Sequence, residues 1–167
     1  MLTKRIYLFL VSALLFSGCG VYSFTGASIS KDVKTITIKY FQNYAPLIQP
    51  TLSQAFTEAL KDRFISQTTL VQVNSDGDLI LEGSITDYNT KPIAIQAGDQ
   101  AAQNRLTISI KVKFTNKKDP KFNFEQVFTR YADYSSSQVL TVVEPDLIKT
   151  INDQLVGDVF NKAIVNW

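Results

Sequence analysis

Arg105-Leu106-Thr107-Ile108-Ser109-Ile110-Lys111-Val112-Lys113-Phe114-Thr115 is the stretch whose reading decides the fold. Leu106, Ile108, Ile110, Val112 and Phe114 alternate without a break with polar residues, the period-two pattern of a strand with one dry and one wet face. On this reading Ser109, Lys111 and Lys113 stand on the wet face. Asn116 to Pro120 makes a polar turn, and Phe122, Phe124 and Phe128 continue on a return strand, so the two strands pair antiparallel. Tyr131 and Tyr134 end this sheet segment.

The same periodicity, and its helical counterpart, extend outward in both directions. Between Lys34 and Phe41, Ile36, Ile38 and Tyr40 alternate with Thr35, Thr37 and Lys39 and predict a first strand. After Pro46 and Pro50, Leu52, Phe56, Ala59, Leu60 and Phe64 recur at three- and four-residue intervals, which predicts an amphipathic helix over 50–66. Thr69 to Val73 is a short β-rich stretch. Asn74-Ser75-Asp76-Gly77 then tolerates tight-turn geometry before Leu79, Leu81 and Ile85 resume alternation, so a hairpin is expected after the helix. Lys91 to Asn104 reads as a long polar loop. Past Ser135-Ser136-Ser137, Pro145 opens a final helix with Leu147, Ile148, Ile151, Leu155 and Val159 on one stripe and Gly157 inside it. The order β-α-β-β-β-α, with one apolar face per element, predicts an α+β fold. It is a two-layer α/β sandwich: a mainly antiparallel four-stranded sheet with two helices on one face.

The N-terminus reads as an address. Lys4-Arg5, an apolar run from Ile6 to Phe16 and Ser17-Gly18-Cys19 have the basic, apolar and small-residue parts of a lipoprotein signal, and the apolar run is too short for a membrane-spanning helix. Cleavage before Cys19, the one cysteine of the chain, would leave it carrying a diacylglyceryl thioether and an N-acyl chain such as palmitate, and several buried acyl chains anchor a protein stably. Gly20, rather than aspartate, follows the cysteine, which favours the outer membrane. The expected organisation is a signal peptide over 1–18, an acylated tether over 19–30 and one domain over 31–167.

Removing residues 1–18 takes away two positive charges and moves the balance of basic to acidic residues from 17 against 15 to 15 against 15. The sequence pI of about 8.6 therefore describes the precursor. A neutral mature chain gives no support to a nucleic-acid partner, which needs clustered basic residues. With its cysteine committed to lipid, the chain has none left for a disulfide or a thiolate metal site, and packing alone must hold the fold.

The residues offer little chemistry. There is no histidine and no serine in a Gly-x-Ser-x-Gly setting, so the commonest base and the commonest activated nucleophile are missing. Asp76, Asp78 and Glu82 crowd one stretch but lack the ligand spacing of a calcium loop, and read as turn and strand-edge charges. No catalytic residue, metal ligand or cofactor is assigned, and the chain is read as no enzyme. Lys117, Lys118 and Lys121 gather at the tip of the long hairpin, with Arg105, Lys111 and Lys113 along its first strand. Surface strands need such charges for solubility and edge protection; the functional reading is an anion surface for the phosphates of lipopolysaccharide, with Arg105, Lys117, Lys118 and Lys121 as the candidate contacts.

Four segments together resemble one family: Cys19-Gly20-Val21-Tyr22-Ser23-Phe24, Tyr40-Phe41-Gln42-Asn43, Leu60-Lys61-Asp62-Arg63-Phe64, and Asp78-Leu79-Ile80-Leu81-Glu82-Gly83-Ser84-Ile85 with Asp87-Tyr88. In this order, behind a lipoprotein start, they are similar to the LptE family of lipopolysaccharide-assembly lipoproteins. The resemblance implies a helix-backed sheet that plugs the outer-membrane β-barrel LptD from the periplasmic side, helping that barrel assemble and helping lipopolysaccharide reach the outer leaflet. A scaffold lipoprotein of another envelope complex shares the anchor, the sandwich and the lack of catalytic groups; co-purification of a large barrel separates the two. A hydrolase of envelope polymers would need a carboxylate pair with perturbed pKa values, for which no candidate stands out.

Overall fold

A computed structural model of the chain describes residues 29–47, 49–93 and 103–165. The signal, Cys19 and most of the tether lie outside these residues. In chain order the elements are β1 (Thr35–Ile38), β2 (Gln42–Asn43), α1 (Leu52–Gln67), β3 (Val71–Gln72), β4 (Leu79–Ile93), β5 (Gln103–Asn116), a 3₁₀ turn (Pro120–Phe122), β6 (Phe124–Ser135), α2 (Leu140–Phe160) and a π-helical turn (Asn161–Val165).

The sheet has six strands and is mixed, not the four-stranded, mainly antiparallel sheet expected. Its order is β3-β1-β4-β5-β6, with β2 also on β4. β1 runs parallel to β3 and to β4, β2 runs parallel to β4, and only the β4–β5 and β5–β6 pairs are antiparallel. The expected hairpin after the helix is therefore absent: β3 and β4 flank β1 on opposite sides, and the chain between them crosses over β1. Gly77 makes that crossing possible, because a Cβ there would lie 2.8 Å from the Thr37 nitrogen and 2.9 Å from the Ile36 carbonyl carbon. The Gly77 N–H donates to Thr37 Oγ1 at 3.0 Å, which is why Thr37 is buried on what the alternation marks as a wet face.

Two one-residue insertions re-phase the alternation. Ile38 stands opposite Leu81, but Gln42 stands opposite Ser84, so residues 39–41 hold one residue more than the facing strand. A slip of one residue exchanges the two faces. Tyr40, expected inside, is thus 49% exposed, and Phe41 is fully buried in its place. In β4 the register shifts between Ile85 and Asp87, so the buried set passes from Leu79, Leu81 and Ile85 to Tyr88.

The long hairpin follows its predicted register, with Ile110 opposite Ile85 on one side and Phe128 on the other. Leu106, Ile108, Ile110, Val112 and Phe114 are all at the core. The expected loop over Lys91–Asn104 is shorter than its composition suggests, since Lys91, Pro92 and Ile93 pair with Arg105, Asn104 and Gln103 as strand. Both helices lie on the dry face, and their apolar stripes join the strand residues in one cluster. Helix α1 buries Leu52, Phe56, Leu60 and Phe64, and its Thr57 Oγ1 accepts the Phe41 N–H at 3.1 Å. Phe56 meets Phe41 edge-on at 5.1 Å, and Phe64 meets Phe160 of α2 at the same distance. Helix α2 begins at Leu140, five residues before the proline expected to open it, and Pro145 sits inside. A proline there lacks the N–H that would reach the carbonyl four residues back. Tyr88 donates its hydroxyl to Glu144 Oε1, tying this first stretch of α2 to the sheet.

Candidate functional site

The tip between β5 and β6 is held by its own polar side chains. Asn116 is buried at the end of β5, and its Oδ1 accepts the N–H groups of Lys118 (2.9 Å) and Asp119 (3.0 Å), a local turn of the kind asparagine favours. The Asn116 N–H in turn donates to Asn123 Oδ1 at 2.7 Å, and the Lys117 N–H reaches the Asp78 carbonyl at 2.9 Å. The three lysines are therefore displayed from a fixed frame.

Each of them has an acidic neighbour. Lys117 Nζ pairs with Asp76, Lys118 Nζ lies 3.2 Å from Asp78 Oδ1, and Lys121 Nζ lies 2.9 Å from Asp119 Oδ2 and over the Phe122 ring. Asp76 and Asp78 of the acidic stretch thus supply two of the tip's three counter-ions, and Asp119 of the turn itself supplies the third. Asp78 does more: its Oδ2 accepts the N–H groups of Lys34 (2.9 Å) and Thr35 (3.1 Å) and the Thr35 hydroxyl (3.0 Å), closing the start of β1. The Lys34 N–H, helped by Lys118 and Thr35 and opposed by partial burial, holds the Asp78 carboxyl far below the usual carboxylate range. Asp76 adopts a left-handed backbone, φ 61°, which aspartate tolerates better than most residues.

Arg105 does not join the lysines. It stands near the other end of β5, twelve residues from Lys117, a separation of about 40 Å along an extended strand. There its guanidinium makes a two-pronged contact with Asp133, at 2.7 and 2.8 Å, and stacks 3.6 Å from the centre of the Tyr131 ring. The four candidate contacts therefore form two places, a tip with three lysines and an isolated arginine. The polar sheet face between them is a ladder of ion pairs: Glu82 takes Lys39 at 2.6 Å and Lys113 at 2.9 Å, and Lys111 meets Glu125 at 2.5 Å. Lys39 first, then Lys113, pull the Glu82 carboxyl down, and Lys111 does the same to Glu125.

The pairing shifts these carboxyls in one direction. The carboxyls with shifted values, Asp78, Glu82, Glu125 and Asp133, are all lowered, whereas a general acid needs a raised one. The Tyr88 hydroxyl is pushed up, by burial first and by Glu144 second, so it stays protonated. Among the described residues no group of three His, Cys, Asp or Glu could hold a metal ion, and no helix is long and apolar enough to cross a membrane.

Two grooves were not legible in the sequence. One, of about 430 Å³, runs between β6 and the end of α2, bordered by Phe128, Arg130, Asp158, Asn161 and Lys162. Arg130 bridges it to Asp158 at 2.6 and 2.8 Å. The other, of about 420 Å³, lies between the helices, beside Ala55, Ala59, Ile148 and the buried Asn152, whose Oδ1 has no hydrogen-bond partner. Both are made by residues far apart in the chain.

A family model described as lipopolysaccharide-assembly, LptE, matches residues 33–163. Among curated protein sequences none matches the chain. Of the solved structures, a minor lipoprotein from Acinetobacter baumannii is 13% identical, with a TM-score of 0.52 over 78% of this chain and 92% of its own. The hypothetical protein CT253 from Chlamydia trachomatis is 8% identical, with a TM-score of 0.55 over 80% of this chain and 99% of its own. At such identities the likeness is one of fold.

Proposed function

Because the chain belongs to the LptE family of lipopolysaccharide-assembly proteins, we propose that it is an outer-membrane lipoprotein that partners and plugs an LptD-like β-barrel. It assists the assembly of that barrel and the insertion of lipopolysaccharide into the outer leaflet. The single observation that carries the reading is the family match across residues 33–163, almost the whole described domain. The signal peptide (1–18) is removed, Cys19 carries the lipid, the tether (19–30) follows and the domain (31–167) works on the periplasmic side. The protein acts by binding, with no catalytic group and no cofactor.

Lys117, Lys118 and Lys121 contact lipopolysaccharide phosphates. Each ammonium has three donors and spends one on its aspartate, so donors remain for a phosphate, and an ammonium–phosphate contact is stronger than a neutral hydrogen bond. The chain enters β1 beside Asp78 and Lys118, so the tether joins the domain at the lysine-bearing end. Arg105 is a second, separate contact at the far end of β5.

The test is purification of the tagged full-length protein from detergent-solubilised outer membrane, with the co-purifying partner identified by mass. An LptD-like barrel is the expected partner, and Cys19→Ala should leave the protein in the soluble fraction. A partner set without any large barrel overturns the assignment; a Cys19→Ala protein that still floats with the outer membrane, together with a wild type that carries no acyl mass, overturns the anchor.

A further inference from the structure

The two edges of the sheet are unlike. β3, at one end, is two residues long. β6, at the other, is twelve residues long and pairs in an unbroken register with β5 alone. Phe124–Ser135 contains no proline and no glycine and its ladder has no bulge, and its charges Glu125, Arg130 and Asp133 are paired with Lys111, Asp158 and Arg105, so the backbone of this edge runs without interruption.

The parity of the ladder tells which main-chain groups face outward. The Leu81 and Ile85 carbonyls accept the N–H groups of Lys39 and Tyr44, both at 2.9 Å, so in this part of β4 the odd residues serve β1 and β2. The even residues then serve β5, through Ile80, Glu82 and Ser84 opposite Thr115, Lys113 and Lys111. That leaves the even residues of β5 to bond Gln126, Phe128, Arg130 and Ala132. Glu125, Val127, Thr129, Tyr131 and Asp133 consequently point their N–H and C=O groups away from the sheet. The Ser135 N–H, of the same parity, bonds the Gln138 side chain at 3.3 Å, as this assignment requires. No described residue takes a main-chain bond from the other five.

We propose that the outer edge of β6, Glu125 to Asp133, is a strand-docking site that receives an extended segment of the protein partner. The identity of that partner as a barrel rests on the function proposed above; the site itself does not. Free donors and acceptors recurring every second residue, about 7 Å apart, are matched by an extended polypeptide backbone and by neither a lipid chain nor a phosphate. Alternate side chains of the added strand meet two surfaces. On the outer face they pack beside Val127 and Tyr131, which are 53% and 50% exposed. On the inner face they enter the groove between β6 and α2, an arrangement of strand edge and helix that strand addition commonly uses. Lys162 borders that groove with no acidic partner among the described residues, which favours a polar or acidic side chain on the incoming segment.

Hydrogen exchange of the full-length lipoprotein, alone in detergent and in the co-purified barrel complex, tests the site. The amides of Val127, Thr129, Tyr131 and Asp133 should exchange freely in the isolated protein and slow by at least about tenfold in the complex. Val127→Pro removes one outward N–H at an exposed side chain, a position where an edge strand accepts proline; it should lower barrel recovery by about tenfold while the melting temperature is kept. If the complex forms but these amides stay unprotected, the docking site is wrong and the proposed function stands. If no barrel is recovered by wild type, it is the proposed function that fails. An isolated protein that sediments as a dimer with β6 already protected assigns the edge to a second copy and overturns the proposal.

Discussion

Ile110→Ala tests the central strand register most directly. Ile110 is fully buried in the middle strand of the hairpin sheet, with Ile85 and Phe128 opposite it on its two neighbours and both helices above. Truncation removes three carbons, worth about 2.4 kcal/mol at roughly 0.8 per buried carbon. The site cannot collapse to fill the space, because strands bonded on both sides fix its backbone, so a cavity term adds and the cost should fall in the upper half of about 2–5 kcal/mol. Ser109 is the comparison. The alternation makes it a surface residue, for which Ser109→Ala would be near ±0.5 kcal/mol. Its side chain is on the polar face, but it is only 8% exposed and its hydroxyl lies 2.8 Å from that of Thr129. The structure therefore raises the expectation to about 0.5–1.5 kcal/mol, the net worth of one hydrogen bond. Urea unfolding of both variants, with unchanged m-values, gives the two numbers. An Ile110→Ala cost below about 1.5 kcal/mol, or one equal to that of Ser109→Ala, would refute the register.

Glycines give a second contrast: a Cβ on Gly83 would lie 2.0 Å from the Lys111 carbonyl oxygen and 2.6 Å from the Phe41 ring, whereas one on Gly157 meets nothing within 4 Å. Gly83→Ala should cost about 3 kcal/mol or more, and Gly157→Ala should stabilise by about 1 kcal/mol, both read by urea melts. Asp78 has a folded-state pKa below its unfolded value of about 4, so its contribution is present above that pH and is lost as pH falls through the folded value. The stability gap between wild type and Asp78→Asn, measured from pH 6 to pH 2, should shrink on acidification; a constant gap would deny the carboxylate its role at β1. Replacing Lys117, Lys118 and Lys121 together by Ser should weaken lipopolysaccharide capture, and capture by wild type should fall with salt, with the fold kept, because exposed ion pairs contribute little to stability. Unchanged capture removes the tip from the site.

The periodicity of residues 105–128 determined the hairpin, its register and its buried face, because side chains alternate along a strand whatever lies beyond it. The stripe of α1 and that of α2 were legible for the same local reason, as was the absence of the usual catalytic residue types. The sequence order also carried the LptE resemblance, which the family match over residues 33–163 bears out; the segment at Cys19 lies outside that match. Tertiary structure alone decided where β1 and β3 lie, since parallel neighbours are joined by no local turn and Gly77 looks like any turn glycine until Thr37 is seen beneath it. It alone placed Phe41 inside and Tyr40 outside, because the extra residue in 39–41 exists only relative to the facing strand. It separated Arg105 from the lysines, set each lysine against an aspartate, and left the long edge of β6 without a strand partner among the described residues. Which charges meet and which backbone groups go unpaired are properties of elements distant in the chain, and no window of sequence contains both partners.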